Sequence, residues 1–311
     1  MGEMYAPSWI VDGFHFSGMA PYHRNLGQEY DENGWAHIVE KESGFITGAK
    51  PRTNRVPRAG TAPGSYRGPS SREERIITLE GRTWTRTRQD RERAELALAG
   101  LCANPDELYE FRRATDVMDQ TILVELDDAP MVEMINSHTL KWSFQFAAPD
   151  PRKLDTTWQQ PVTGLPTAGS GGLDFSGGGL DIDPLYLDFG EPSQDGSVMV
   201  GNEGTTDSWP LFAVAGPVIN PVIFEPATGS TLRYTGTIPR GQVLWINCAI
   251  ETQRGVPGHG VFLDQSNRRG SLAVLGEWPR VGAMRTGYYQ FFAADYNGDA
   301  LMTCWFRSAW L

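Results

Sequence analysis

Cysteine is scarce in this chain: three in 311 residues. Cys102, Cys248 and Cys304 are odd in number, far apart and form no CxxC pair. That excludes a disulfide-stapled scaffold and points to reduced thiols in a protein made in the cytosol. No apolar run approaches the roughly 18–20 residues a bilayer-spanning helix needs, so no membrane insertion is expected. The N-terminus lacks a basic stretch followed by an apolar one, so no secretory signal is expected. The histidines (His15, His23, His37, His138 and His259) form no HExxH and no His/Cys cluster at metal-ligand spacing. There is no GxSxG elbow and no P-loop, and Gly177-Gly178-Gly179 does not complete GxGxxG. Asp181 and Asp183 sit in a Gly-rich stretch with nothing to desolvate them, which favours solvated carboxylates over an acid–base pair. Gly177–Asp183 resembles a single degraded calcium repeat, and Asp295–Asp299 resembles an EF-hand start without its closing Glu. The reading is therefore a protein with no catalytic residues, no cofactor and no metal.

What the chain does have is turn formers and aromatics. Gly (35) and Pro (21) sit beside 10 Trp, 14 Phe and 10 Tyr, which points to short strands joined by many turns. Apolar residues at 40% exclude a wholly disordered chain. The formal net charge is −11, but it is unevenly placed. Lys50 to Arg93 holds 12 basic and 5 acidic residues, a balance of +7, and the rest holds 15 and 33, a balance of −18. A basic segment in an acidic protein fits self-association, one copy's arm meeting another copy's acidic face. The competing reading is a solvated loop.

Three regions are expected. Residues 1–150 form an N-terminal domain, 151–197 a Gly/Pro-rich linker or insert, and 198–311 a C-terminal β-sandwich. In the first, Gly44 to Arg72 has too little apolar content for a core and is too long for an ordinary turn, so 44–72 reads as an extended arm. Arg75–Glu80 is a strand candidate. Ala94, Ala97, Leu98, Leu101 and Cys102 make one helical stripe, with Arg91 and Glu95 four apart, ended by Asn104-Pro105. A second short helix is expected from Asn104, burying Leu108 and Phe111. Thr121–Leu126, Met131–Ile135 and Thr139–Ala147 follow as strands. In the last, Leu140, Trp142, Phe144 and Phe146 alternate with Lys141, Ser143 and Gln145. In the C-terminal region seven strand candidates suggest two packed sheets, and Asn297-Gly298 signals a hairpin between Phe291-Phe292 and Leu301. Trp209, Trp245 and Trp278 are candidates for stacking on sugar rings, against core packing as the alternative. The fold class is mainly β: an α+β N-terminal domain with one or two helices, then an all-β sandwich.

A series of short motifs runs in order along the chain: Trp9-Ile10-Val11-Asp12-Gly13, Lys50-Pro51-Arg52, Asn54-Arg55-Val56-Pro57-Arg58 and Arg75-Ile76-Ile77-Thr78-Leu79-Glu80-Gly81. Ala148-Pro149-Asp150-Pro151-Arg152, Gly201-Asn202-Glu203-Gly204-Thr205, Gly216–Pro221 and Trp305–Trp310 continue it. In this order they resemble the distal tail (minor tail) proteins of long, non-contractile-tailed phages, especially those infecting actinobacteria. The resemblance implies a structural virion protein without enzymatic activity, assembled in the host cytoplasm and placed at the tail tip. It implies a homo-hexameric ring built by the N-terminal domain, an arm clasping the neighbouring subunit, and a galectin-like C-terminal sandwich. Its partners would be the tail tube protein and the tail hub and receptor-binding proteins, with DNA passing through the lumen without specific binding. Within the arm, Arg52, Arg55, Arg58 and Arg67 are the expected inter-subunit contacts, stiffened by Pro51 and Pro57. The alternative is a carbohydrate- or receptor-binding tail module acting through the C-terminal sandwich.

Overall fold

The computed structural model describes residues 7–18, 30–58, 63–166, 195–249, 259–294 and 299–311. The Gly-rich segment around 177–183 and the turn Asn297-Gly298 lie outside the described residues. The chain divides after Thr156 into a first unit, which also takes Trp310 and Leu311, and a second unit that ends at Ala309. The fold is mainly β, with one α-helix among the described residues.

In the first unit the strands are β1 (Ser8–Val11), β2 (Phe14–Gly18), β3 (Trp35–Ser43), β4 (Pro51–Pro57), β5 (Ser65–Arg72) and β6 (Arg75–Thr85). Helix α1 (Arg88–Ala99) follows, then β7 (Tyr109–Ala114), β8 (Asp119–Leu126), β9 (Met131–Asn136), β10 (Thr139–Ala148) and β11 (Lys153–Asp155). Seven of these strands close on themselves in the order β8-β7-β1-β2-β3-β6-β10 and back to β8. Closure occurs where Phe146 and Ala147 of β10 pair with Leu126 and Glu125 of β8. All contacts in the circuit are antiparallel except β2 with β3. A closed sheet has no free edge and hides its inner face, so one side of every strand must be apolar. That is what the alternation in β10 supplies: Leu140, Trp142, Phe144 and Phe146 are all fully buried. Phe16, Trp142 and Phe144 stack in the interior, with ring centroids 5.0 and 5.1 Å apart. Gly81 on β6 makes room for this, because a Cβ there would lie 2.5 Å from the Trp142 ring.

Helix α1 turns its Ala94 and Leu98 into the same core. Arg91 and Glu95 pair at 3.4 Å, as their spacing predicts. The helix ends at Gly100, before the Asn104-Pro105 stop, and Leu101 and Cys102 are buried beyond it. Its start is a capping box that the residue pattern around it did not draw attention to. Thr87 Oγ1 accepts from the Asp90 N–H, and the Asp90 carboxylate accepts from the Thr87 N–H, both at 3.1 Å. Thr87→Ala is expected to lower stability by about 1 kcal/mol in urea unfolding.

The second helix expected from Asn104 is not formed. Asn104 Oδ1 instead accepts from the Asp106 N–H at 3.1 Å, closing an Asx turn, and the chain then enters β7. Phe111 is buried as expected, but as the inward residue of a strand, and Leu108 is exposed. The capping logic was right about a local side-chain bond; the same bond serves a turn as well as a helix start.

His37 sits among Phe14, Phe16 and Trp35. Its Nδ1 lies 2.7 Å from Thr83 Oγ1, which also accepts from the Trp142 indole N–H at 3.0 Å. Burial holds the imidazole neutral, with a pKa lowered from 6.5 to about 4, against a weaker raising effect from Asp31. The unfolded chain therefore takes up a proton near pH 6.5 that the folded chain refuses until about pH 4. Stability is expected to fall as pH drops through that window, by at most about 1.4 kcal/mol per pH unit, and to level off below it. In His37→Gln this slope should shrink by about one proton, measured by urea unfolding at stepped pH.

The second unit is a two-sheet sandwich. Its strands run β12 (Val162–Gly164), β13 (Ser197–Asn202), β14 (Leu211–Ala215), β15 (Val218–Ile219), β16 (Val222–Glu225), β17 (Ser230–Tyr234) and β18 (Thr237–Ile238). They continue as β19 (Val243–Asn247), β20 (Val261–Leu263), β21 (Ser266–Asn267), β22 (Leu272–Leu275), β23 (Arg285–Phe292) and β24 (Leu301–Trp305). The last strand, β25 (Ala309–Trp310), ends the order of the first unit's sheet, next to β11. One sheet has the order β12-β24-β14-β19-β20-β21 and the other β13-β23-β16-β17-β22. Phe212, Leu244 and Met302 from the first sheet meet Ile223, Leu232 and Phe291 from the second in one core. The hairpin expected across Asn297-Gly298 is not one. β23 pairs with β13 and β16, whereas β24 pairs with β12 and β14, so the chain changes sheets between them. The described ends of the stretch 151–197 are ordered too: β11 extends the first unit's sheet and β12 the second unit's.

Candidate functional site

β4 and β5 pair only with each other, antiparallel from Pro51 with Arg72 to Pro57 with Ser65, as a two-stranded ribbon outside the barrel. The expected extended arm is therefore a hairpin. Every residue of β4 is exposed, so no period-2 burial pattern exists to announce a strand. Arg52, Arg55 and Arg58 are exposed, and none of them pairs with a carboxylate among the described residues. Arg58 lies over the Tyr66 ring at 5.4 Å. Arg67 stands opposite Arg55 in the ladder; its side chain is outside the described set. Pro51 and Pro57 close the two ends of β4.

The ribbon's root is built differently from its tip. Gly44 has φ +92°, and a Cβ there would fall 1.9 Å from the Ile76 carbonyl oxygen, so the chain can leave β3 this tightly only with glycine. Phe45 is then driven into the barrel core. The loop from 44 to 49 has no ladder partners, and two guanidinium groups meet its carbonyls instead. Arg75, only 2% exposed, donates from Nη1 to the carbonyls of Gly44 (2.8 Å), Phe45 (3.0 Å) and Thr47, and from Nε to Pro151 (3.0 Å). Arg72 donates to the Ala49 carbonyl at 2.9 Å. Residue 75 lies on the inward side of β6 with Ile77 and Leu79. A lone arginine in a buried apolar alternation is the signal by which this residue is legible in the sequence.

The root also gathers charge. Arg113 pairs with Glu42 at 2.7 Å and lies 5.8 Å from the ring centres of both Trp9 and Phe45. Lys153 lies 5.3 Å from the Phe45 ring. Its pKa is lowered to about 8, first by burial and then by Arg75 and Arg113, with Glu42 opposing.

The candidate sugar-stacking residues are not brought together. Trp209 and Trp278 pack against the sandwich core. Trp278 is stacked on His259, 4.2 Å between ring centres, with Arg269 also against the ring at 5.0 Å. Trp245 stands opposite Ala213 and Phe262 in the ladder and neighbours Trp305 at 6.4 Å. Among the described residues no ring contact joins the three. The three cysteines are buried, and burial raises the Cys102 thiol to about 12, helped by Asp12.

A scan against protein-family models finds no match. A search of the curated proteins finds none either. Solved structures do resemble the chain. Two are of the phage P2 baseplate in its activated conformation, with Ca and with Sr, at TM-scores of 0.46 and 0.45. Each is 11% identical and covers 94% of this chain and 99% of the other. The third is the crystal structure of the SPP1 Dit (gp 19.1) protein, described as a paradigm of the hub adsorption apparatus in Gram-positive infecting phages. It is 11% identical, with a TM-score of 0.62, covering 98% of this chain and 99% of that one. In fold, and over nearly its whole length, the chain is similar to the SPP1 Dit hub protein.

Proposed function

We propose that this protein is a distal tail protein: a structural, non-enzymatic virion component that forms a ring at the tail tip and joins the tail tube to the host-recognition apparatus. The observation that carries this reading is the β4–β5 ribbon, which stands outside a closed barrel and presents Arg52, Arg55 and Arg58 with no carboxylate of their own. A closed ring needs a heterologous contact, one patch on each copy meeting a different patch on the next. A basic ribbon on an acidic body supplies both halves. The likeness in fold to a phage hub protein supports the same placement.

In this reading six copies close the ring, the tail tube protein stacks on one face, and hub and receptor-binding proteins occupy the other. Assembly takes place in the host cytoplasm, and the mature protein resides in the virion. Six copies carry 6 × (−11) = −66 formal charges. An acidic lining repels DNA within a Debye length of roughly 8 Å, so the genome passes without binding. Negative-stain microscopy and light scattering of the purified chain at micromolar concentration test the ring. Six-fold collars are expected; single copies throughout, with no collar in images of intact virions, overturn the reading.

A further inference from the structure

We propose that the ribbon of one copy docks on the outer edge of β9 in the next copy, extending that sheet across the subunit boundary. This rests on the ring reading above and names its acceptor surface.

The barrel closure creates that surface. β10 is long enough to serve two partners: Thr139–Ser143 pair with β9, and Phe146–Ala147 pair with β8. β9 therefore leaves the barrel as a spur, and it is the last strand in the sheet order. Its far side carries main-chain N–H and C=O groups with no strand to meet them among the described residues. Exposed edges of this kind recruit further strands unless blunted by proline, lysine or a covering element. β9 reads Met-Val-Glu-Met-Ile-Asn, with neither lysine nor proline. Met131, Met134 (56% exposed) and Ile135 stand open on it, and Leu96, 76% exposed, lies on α1, which packs against β9.

The ribbon matches this edge in both apolar surface and charge. Val56 and Tyr66, opposite each other in the ladder, are 54% and 64% exposed. Around them stand Arg52, Arg55 and Arg58. On the acceptor side Glu133 has no cation within ion-pair distance among the described residues, and Asp127 and Asp128 occupy the turn that leads into β9. Lys141 faces Glu133 across the ladder without pairing to it. The acids of α1 are less available: Glu92 and Glu95 already hold Arg88 and Arg91. An apolar pair flanked by arginines thus meets an apolar edge flanked by carboxylates. The ribbon's own outer edges, equally without partners in the sheet order, gain the hydrogen bonds that β9 lacks.

The test uses the full chain carrying Val56→Cys and Met134→Cys together. The three natural thiols are buried, so background cross-linking is low. Mild oxidation should give a ladder of disulfide-linked multimers on non-reducing gels, whereas each single variant stops at dimers. A cross-link confined to single chains, or no ladder while microscopy shows rings, overturns the proposal and leaves the ring reading standing. Absence of rings in the unmodified chain overturns both. Independently, Arg55→Glu and Glu133→Arg should each lower the ring fraction by about tenfold, and the double variant should restore it. Unchanged rings in both single variants, each shown folded by its melting curve, also overturn the assignment.

Discussion

Excising residues 50–70 should leave a folded monomer that no longer closes into rings. The ribbon contributes no strand to the barrel, and all of β4 is exposed, so the core is untouched by its removal. The ends left behind are adjacent, because Glu73 N–H donates to the Lys50 carbonyl at 2.9 Å and Pro51 pairs with Arg72, so a short linker spans the gap. Stability should change by roughly 0.5 kcal/mol or less, as for other exposed deletions of contact-free side chains. Ring assembly, measured by light scattering and electron microscopy, should be lost entirely. In the intact chain the same contact should weaken with added salt, since its arginines are exposed and screened over roughly 8 Å at physiological ionic strength. Rings that persist after the excision would remove the ribbon from the mechanism.

Arg75→Met should have the largest effect of any single substitution near the ribbon. Its guanidinium serves the carbonyls of Gly44, Phe45, Thr47 and Pro151 from a nearly fully buried position. Methionine fills similar volume but leaves these acceptors without a donor, and each buried unmet acceptor costs about 1–3 kcal/mol. Allowing for water reaching some of them, a loss of roughly 3 kcal/mol or more is expected in urea unfolding. Arg75→Lys should recover less than half of this, because one ammonium cannot reach a fan of four carbonyls. Both variants should also lower the ring fraction, since the loop that Arg75 holds is the one from which the ribbon departs. A wild-type unfolding curve for Arg75→Met would show that these carbonyls find other partners.

Much of the fold could be read along the chain. The inward residues of β10, the apolar stripe of α1 and the Arg91–Glu95 pair are where their spacing puts them. The arm was legible as well, though by subtraction: proline, glycine and arginine where a core strand would need apolar residues. Its ribbon form was not, because two exposed strands bury neither face and leave no alternation. Asn104 and Asn297 misled for a related reason. Each carries a sound local signal, a side-chain bond or a tight turn, that serves more than one larger arrangement. At 104 the turn feeds a strand, and after β23 the chain crosses to the other sheet.

Composition and short-range pattern were enough to establish a β-rich chain, which faces of its strands turn inward, where a basic arm interrupts them, and that no known catalytic motif is present. They could not say which strands lie side by side. Side-chain period reports burial on one strand at a time, whereas pairing joins residues far apart in the chain, as Phe146 does with Leu126 and Arg75 with Gly44. The closure of the barrel, the spur it leaves at β9 and the buried arginine that roots the ribbon therefore exist only once the chain has folded back on itself.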